Sequence, residues 1–343
     1  MQIMVIITSM TKQISSKQLL EWYARNGREL PWRFKGGAHP DPYVILVSEL
    51  MLQQTTVKTV IPYFHRFMQR FPTVQALAEA PLEDVYLYWQ GLGYYSRARS
   101  LHTTAQMIIE NFGGEFPSCR EDVLKLKGIG PYTVASFLAL AFNQSETVID
   151  GNVMRVICRL YHLTRPLDEI GEDIRNKATA LTDKENPADY ASAIMDLGAM
   201  VCTPKKPQCL LCPWQESCQS KNSPQLENIP LRKKPEKKVK HGKVYLIYNA
   251  QGEIYIRKRT EKGLLSGLYE FPWSDDRELF AEMNSRTLEK EITHVFTHFK
   301  LLLTVCVIHS EQINSDGKFV PLSELENYPF STLMKKVFPL LNK

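Results

Sequence analysis

The chain predicts two domains of different class: an all-α region over about its first two thirds, and an α+β domain at its C-terminal end. Three observations lead there. Before residue 240 no alternating strand pattern occurs, and proline and glycine separate helical stretches of about 10–16 residues. After residue 240 the hydrophobic period switches to two. A length of 343 residues also exceeds what one ordinary core organises.

Taken in order, Leu19, Leu20, Trp22 and Tyr23 open an amphipathic pattern. Asp41-Pro42 reads as an N-cap followed by proline at the first helical position, opening a helix over Tyr43–Thr59. Pro72, Pro81, Gly91-Leu92-Gly93, Gly113-Gly114 and Gly128-Ile129-Gly130 punctuate the helices that follow. Between Asn222 and Gly242, Pro224, Pro230 and Pro235 break helices, and Arg232 to Lys243 carries seven Lys and Arg against one Glu. This is a solvated linker or a segment adding phosphate contacts. Val244–Tyr248, the turn Asn249–Gly252 and Ile254–Ile256 read as a hairpin, and Leu301–Ile308 as a further strand. No internal repeat is present.

The composition is globular, with 44% hydrophobic, 23% charged and 10% aromatic residues. No apolar run reaches the ~18 residues of a membrane span. The patch Ile3–Ile7 lacks a basic flank and a small-residue cleavage site, so it does not read as a signal peptide. A cytoplasmic, nucleoid-associated location is expected. A net charge of +5 suits an anionic partner such as nucleic acid, as it suits many proteins that bind none.

Cys202, Cys209, Cys212 and Cys218 form a C-x6-C-x2-C-x5-C run, with Pro204, Pro207 and Pro213 stiffening the loop. In a reducing compartment such thiols are metal ligands more often than disulfides. The spacing favours a [4Fe–4S] cube, with zinc and a disulfide arrangement as alternatives. Cys119, Cys158 and Cys306 are scattered and read as packing residues. Leu126-Lys127-Gly128-Ile129-Gly130 ends one helix and Pro131-Tyr132-Thr133 opens the next. That tight turn exposes helix N-terminal amides that can take a phosphate, although most G-x-G turns are only turns.

These stretches together carry a resemblance. Leu30-Pro31-Trp32-Arg33, Ser48–Thr55, Gly91–Arg99, the glycine hairpin, Asp150–Val156 and the cysteine loop resemble the adenine-specific mismatch DNA glycosylases, the MutY family of the helix-hairpin-helix superfamily. The likeness runs from about Leu19 to the C-terminus. It implies an all-α glycosylase region over 12–223, with a six-helix barrel over about 29–145 and a cluster domain from 12–28 with 146–223. A linker over 224–240 and a Nudix-like lesion-recognition domain over 241–343 follow. It also implies a [4Fe–4S] cluster on Cys202, Cys209, Cys212 and Cys218, and removal of adenine paired with 8-oxoguanine or guanine in duplex DNA by a monomeric enzyme.

Cleaving a purine N-glycosidic bond needs an acid for the leaving base and a carboxylate for the developing sugar cation. Glu49 lies in the apolar stretch Val44–Leu52, where desolvation raises a carboxyl pKa; without context it would read as a residue of a solvated face. The resemblance makes Glu49 the catalytic acid and Asp150 the carboxylate facing the cation. Asp150 also reads as a helix cap. In bifunctional relatives of the endonuclease III type, a lysine nucleophile stands two residues after the hairpin's last glycine. Here that residue is Tyr132, so Schiff-base strand cleavage is not expected, and Tyr132 matches a supporting tyrosine. A bifunctional oxidised-pyrimidine glycosylase/lyase is the rival reading.

Gln53, four residues after Glu49, is expected on the same helix face and matches a duplex wedge, with Gln54 beside it. Tyr94 matches a second, intercalating wedge. Leu30, Trp32 and Arg33 match the adenine pocket, and Gly128 and Gly130 the phosphate hairpin. Arg97 and Arg99 reach phosphates or line a solvated face. Ser192 stands where relatives often carry Glu or Gln near the adenine, and Asp196 reads as a packing residue or one on the cluster side. Phe296-Thr297-His298-Phe299 matches an F-S-H motif with threonine for serine, so Thr297 and His298 are candidate 8-oxoguanine contacts. Gly263–Pro272 is the Nudix-like stretch, and the R-E-x-x-E-E metal box of a Nudix hydrolase is absent, which predicts lesion recognition without pyrophosphatase activity.

Overall fold

The computed structural model describes residues 14–33, 40–232, 237–261, 263–274, 279–280 and 282–341. The Ile3–Ile7 patch and residues 233–236 of the basic linker lie outside them. The chain divides into two compact units, each built from two stretches: Met1–Gln53 with Glu110–Lys234, and Gln54–Ile109 with Pro235–Lys343. The helical region expected as one block thus contributes to both units.

The first unit holds α1 (Ser16–Asn26), α2 (Pro42–Leu52), α7 (Arg120–Lys125), α8 (Pro131–Phe142), α9 (Gly151–Leu160), α10 (Gly171–Leu181) and α11 (Pro187–Asp196). Helices α2 and α8 are apolar on nearly every side and pack on each other, as a helix without a polar face must. Asp41 caps α2 through Tyr43 N at 2.8 Å, with Pro42 in the first turn. The helix expected over Tyr43–Thr59 is interrupted: α2 stops at Leu52, Gln53 leaves helical geometry, and Gln54 takes a left-handed φ of 59° before α3 begins. Thr56 caps that new helix, and its local hydroxyl bond competes with continuation of α2.

The second unit holds α3 (Val57–Arg70), α4 (Val74–Glu79), α5 (Leu82–Trp89), most of α6 (Ser96–Phe112), seven strands among its described residues, and the short α12 (Thr332–Lys335). The strands are β1 (Lys238–Tyr248), β2 (Ile254–Lys258), β3 (Tyr269–Glu270), β4 (Trp273–Ser274), β5 (Arg286–Val295), β6 (Phe299–His309) and β7 (Lys318–Val320). They form a sheet in the order β3-β2-β1-β6-β5, with β4 also on β1 and β7 on β2. Strands β1 and β6 run parallel in register from Lys238↔Phe299 to Tyr248↔His309, and β1 begins inside the segment expected as linker. The predicted hairpin forms as β1–β2, with Tyr248 opposite Ile254. Its alternation separates two cores rather than core from solvent: Val244 and Leu246 join Leu303, Phe271 and Met334 on one face, while Tyr245 and Ile247 join Tyr255, Cys306 and Ile308 on the other. Among the described residues no helix is long and apolar enough to cross a membrane.

Candidate active site

Because α2 is buried all round, it carries Glu49 into the first unit's core, where the residue is 4% exposed. A lone carboxyl there needs donors. Helix α8 supplies two: Ser136 Oγ donates to Glu49 Oε2 at 2.6 Å and Tyr132 OH to the same oxygen at 3.2 Å. Burial pushes the Glu49 pKa up; the bonds from Ser136 and Tyr132 and the Arg33 charge oppose it, and the Asp150 charge adds to it. Tyr132 is itself pushed well above the usual phenol value by burial and the Glu49 charge, so its proton stays on. Both donors engage Oε2, which leaves Oε1 as the atom able to carry and deliver a proton.

Asp150 is the N-cap of α9. Its Oδ1 accepts from Asn152 N at 2.8 Å and Val153 N at 2.7 Å, and its Oδ2 from Asn152 Nδ2 at 2.9 Å. Three N–H donors and a helix N-terminus fix an anionic acceptor in place, so the cap and the catalytic carboxylate are compatible in one residue. The hairpin forms as expected between α7 and α8: Gly128 has φ 75°, the left-handed turn that glycine permits, and Gly130 caps α8 ahead of Pro131. Gln53, although off the helix, turns toward α8 and donates from Nε2 to Thr133 Oγ1 at 3.2 Å. Its neighbour Gln54 is exposed.

Leu30 and Trp32 lie in the buried core, and Arg33 is tied to Asp196. That aspartate is not a mere packing residue. It is fully buried and accepts from Arg33 Nη1 at 2.5 Å, Arg28 Nη2 at 2.6 Å and Arg28 N at 2.8 Å. Burial acts to raise its pKa, yet Arg33 and Arg28 prevail and hold the carboxyl below the usual range. Ser192, one turn before it on α11, is buried beside the phenol of Tyr23. Ser136, Asn152 and the Asp196 pair did not stand out in the sequence as site residues. Only Asn152 had a local signal, its place two residues after a capping aspartate.

The four cysteines wall one cavity together with Arg159, Val201, Gln215, Lys221 and Leu226. All four are half-buried and none is in a disulfide. Four thiols on the wall of one cavity supply the four-cysteine ligand set that a [4Fe–4S] cube takes. The loop's charge is met from α9: Arg159, buried, donates to Cys202 Sγ at 3.6 Å and Thr203 O at 2.6 Å, and Arg155 Nε to Cys202 O at 2.8 Å.

In the second unit, Gly91–Ser96, Gly263–Ser266, His294–Phe299 and Ser331–Leu333 line a cavity of about 440 Å³. Tyr94, Thr297 and His298 all lie on it, and Tyr94 OH and Thr297 Oγ1 are hydrogen-bonded at 3.0 Å. Neither Arg97 nor Arg99 lies on a fully solvated face. Arg97 is 6% exposed, and Arg99 donates to Tyr86 OH at 2.9 Å and to Ser266 O.

Residues 47–179 match the HhH-GPD superfamily of base excision DNA repair proteins, residues 202–218 the iron-sulfur binding domain of endonuclease III, and residues 243–340 the NUDIX domain. The adenine DNA glycosylase of Buchnera aphidicola subsp. Schizaphis graminum is 35% identical over 304 residues, covering 85% of this chain and 86% of that protein. The chain belongs to the adenine DNA glycosylase family. The human family member is 32% identical, over 93% of this chain and 72% of its own. The structure of a thermostable thymine-DNA glycosylase covers 60% of the chain and 94% of its own at 27% identity and TM-score 0.54. An endonuclease III–DNA complex shares the fold over 61% of the chain and 97% of its own, at 22% identity and TM-score 0.50. Like the rest of its family, the chain is a DNA N-glycosylase of base excision repair, and its cofactor is a [4Fe–4S] cluster in the 202–218 loop. When bound, that cluster supplies the ordering that a short loop with so little core cannot supply itself.

Proposed function

We propose that the enzyme hydrolyses the N-glycosidic bond of adenine mispaired with 8-oxoguanine, or with guanine, in duplex DNA, as a monomer and without strand cleavage. The observation that carries this reading is the Glu49 carboxyl: buried, with a raised pKa, bonded through one oxygen to Ser136 and Tyr132, and within the field of Asp150.

The adenosine leaves the stack to reach such a recessed acid. Glu49 Oε1 gives its proton to the base, and the bond to C1′ breaks with its electron pair leaving on adenine. Asp150, held by Asn152 and Val153, faces the cationic sugar. Water then adds to C1′ and returns a proton to Glu49, restoring the acid. Tyr132 occupies the position where a lysine would form a Schiff base, and a phenol cannot form an imine. Recognition of the partner base falls to the second unit, where the ring of Tyr94 offers a stacking face and the Thr297 hydroxyl a hydrogen-bonding group.

Adenine release from three duplexes, carrying 8-oxoguanine:A, G:A or thymine glycol, tests the reading. Release from the first two, fastest from the 8-oxoguanine duplex and without strand nicking, is the expected result. Thymine glycol excision with a borohydride-trappable adduct would instead establish the bifunctional rival.

A further inference from the structure

The wedge position Tyr94 stands on a loop that ought to be floppy. Gly91 and Gly93 flank it with φ of 108° and 71°, and Tyr94 itself is left-handed at φ 47° and 47% exposed. A non-glycine residue in that region is strained and persists only where its surroundings enforce it.

One buried side chain meets the loop at several points. The guanidinium of Arg97 lies 5.3 Å from the Tyr94 ring centroid and 5.4 Å from that of Trp89. Its Nη2 donates to Gly93 O at 3.1 Å, Leu92 O at 3.3 Å and Thr55 Oγ1 at 3.3 Å. Trp89 Nε1 adds a bond to the same Gly93 carbonyl at 3.2 Å. The carbonyls that Arg97 holds are those of Leu92 and Gly93, and the Gly93 carbonyl carbon is one of the four atoms that define φ of Tyr94. Burial lowers the Arg97 pKa to about 10, so the group remains a cation at neutral pH. Lysine has no planar guanidinium face with which to stack on two rings while it donates to the carbonyls.

We infer that Arg97 is a positioning residue for the Tyr94 wedge: it touches no DNA, and it fixes the strained loop and the ring plane that enter the duplex beside the lesion. The inference rests on the reading of Tyr94 given above. Arg97 therefore acts through Tyr94, which a double-mutant cycle can detect.

The probe is a duplex with 8-oxoguanine opposite 2′-fluoro-2′-deoxyadenosine, whose glycosidic bond resists hydrolysis, and 2-aminopurine next to the 8-oxoguanine. Binding is read as Kd, and wedge insertion as the fluorescence rise of the unstacked 2-aminopurine. In the Tyr94 background, Arg97→Met is expected to raise Kd about tenfold and remove most of the fluorescence rise; in the Tyr94→Ala background it is expected to raise Kd less than about twofold. Equal losses in both backgrounds, or none in the first, overturn the inference. Should Arg97→Met fold poorly, Arg97→Lys decides through the same cycle, with about a threefold loss expected only where Tyr94 is present. If Tyr94→Ala binds and unstacks the probe like wild type, the wedge reading falls and the inference with it. A Tyr94→Ala loss that Arg97 does not share removes the inference alone.

Discussion

Glu49 is 4% exposed on a regular helix, whereas Tyr94 is 47% exposed on a left-handed turn between glycines and a helix start. The first is readied by its environment. Apolar packing on α2 and α8 takes the carboxyl out of water, and two hydroxyls on α8 orient one of its oxygens. The second is readied by backbone conformation, with its half-exposed ring seated on Arg97 and bonded to Thr297. Proton delivery demands a desolvated group in a fixed place, while insertion into a duplex demands an exposed group on a fixed backbone.

The comparison breaks most visibly at the acid. Glu49→Gln, which keeps shape and removes the proton, is expected to slow single-turnover adenine release about 10³-fold; near-wild-type release would mean that another group protonates the base. In the wild-type enzyme the rate should fall as pH rises through the raised Glu49 pKa, because the acid form is then lost. Stability follows the same sign. The folded pKa lies above the unfolded one, so Glu49 weakens the fold progressively from the ordinary carboxylate range upward. Glu49→Gln should therefore melt higher than wild type, with a gap that widens in calorimetry as pH rises above the ordinary carboxylate range; a gap that narrows would contradict the buried-acid assignment.

Next in size is the buried Asp196 ion pair. Asp196→Asn leaves Arg33 and Arg28 without their buried counter-charge and should cost about 3–5 kcal/mol of stability in urea unfolding. A loss under about 1 kcal/mol would mark the pair as exposed in solution.

The recognition side yields smaller effects. Tyr94→Ala should weaken binding to an 8-oxoguanine:A duplex about tenfold through lost stacking, measured by fluorescence anisotropy. Thr297→Ser keeps the hydroxyl and removes one methyl, and should shift the 8-oxoguanine:A over G:A ratio of kcat/KM by no more than about threefold. A larger change than that of Tyr94→Ala would make Thr297 the dominant reader of the lesion.

Much of this was legible in the chain. The Asp41-Pro42 start, the glycine hairpin and the β1–β2 turn are local signals, set by φ restrictions that act within a few residues, and each formed where expected. The helix past Leu52 was misread because Gln53-Gln54-Thr55-Thr56 contains no glycine or proline, and only the Thr56 cap and tertiary packing select the break. Arg97 was read as a surface cation because an arginine's charge says nothing about whether the protein supplies carbonyls and rings to hold it.

By itself the sequence determined the class of the two regions and the spacing of the four thiols, because residue type and period along the chain suffice for these, whereas Glu49 and Asp150 stood out only through the family resemblance. The tertiary structure alone decided which atoms face the acid, that Arg33 answers to Asp196, and that Arg97 lies beneath Tyr94. Those pairings join residues far apart in the chain, and a buried charge or hydroxyl is defined only by the partners that packing brings to it.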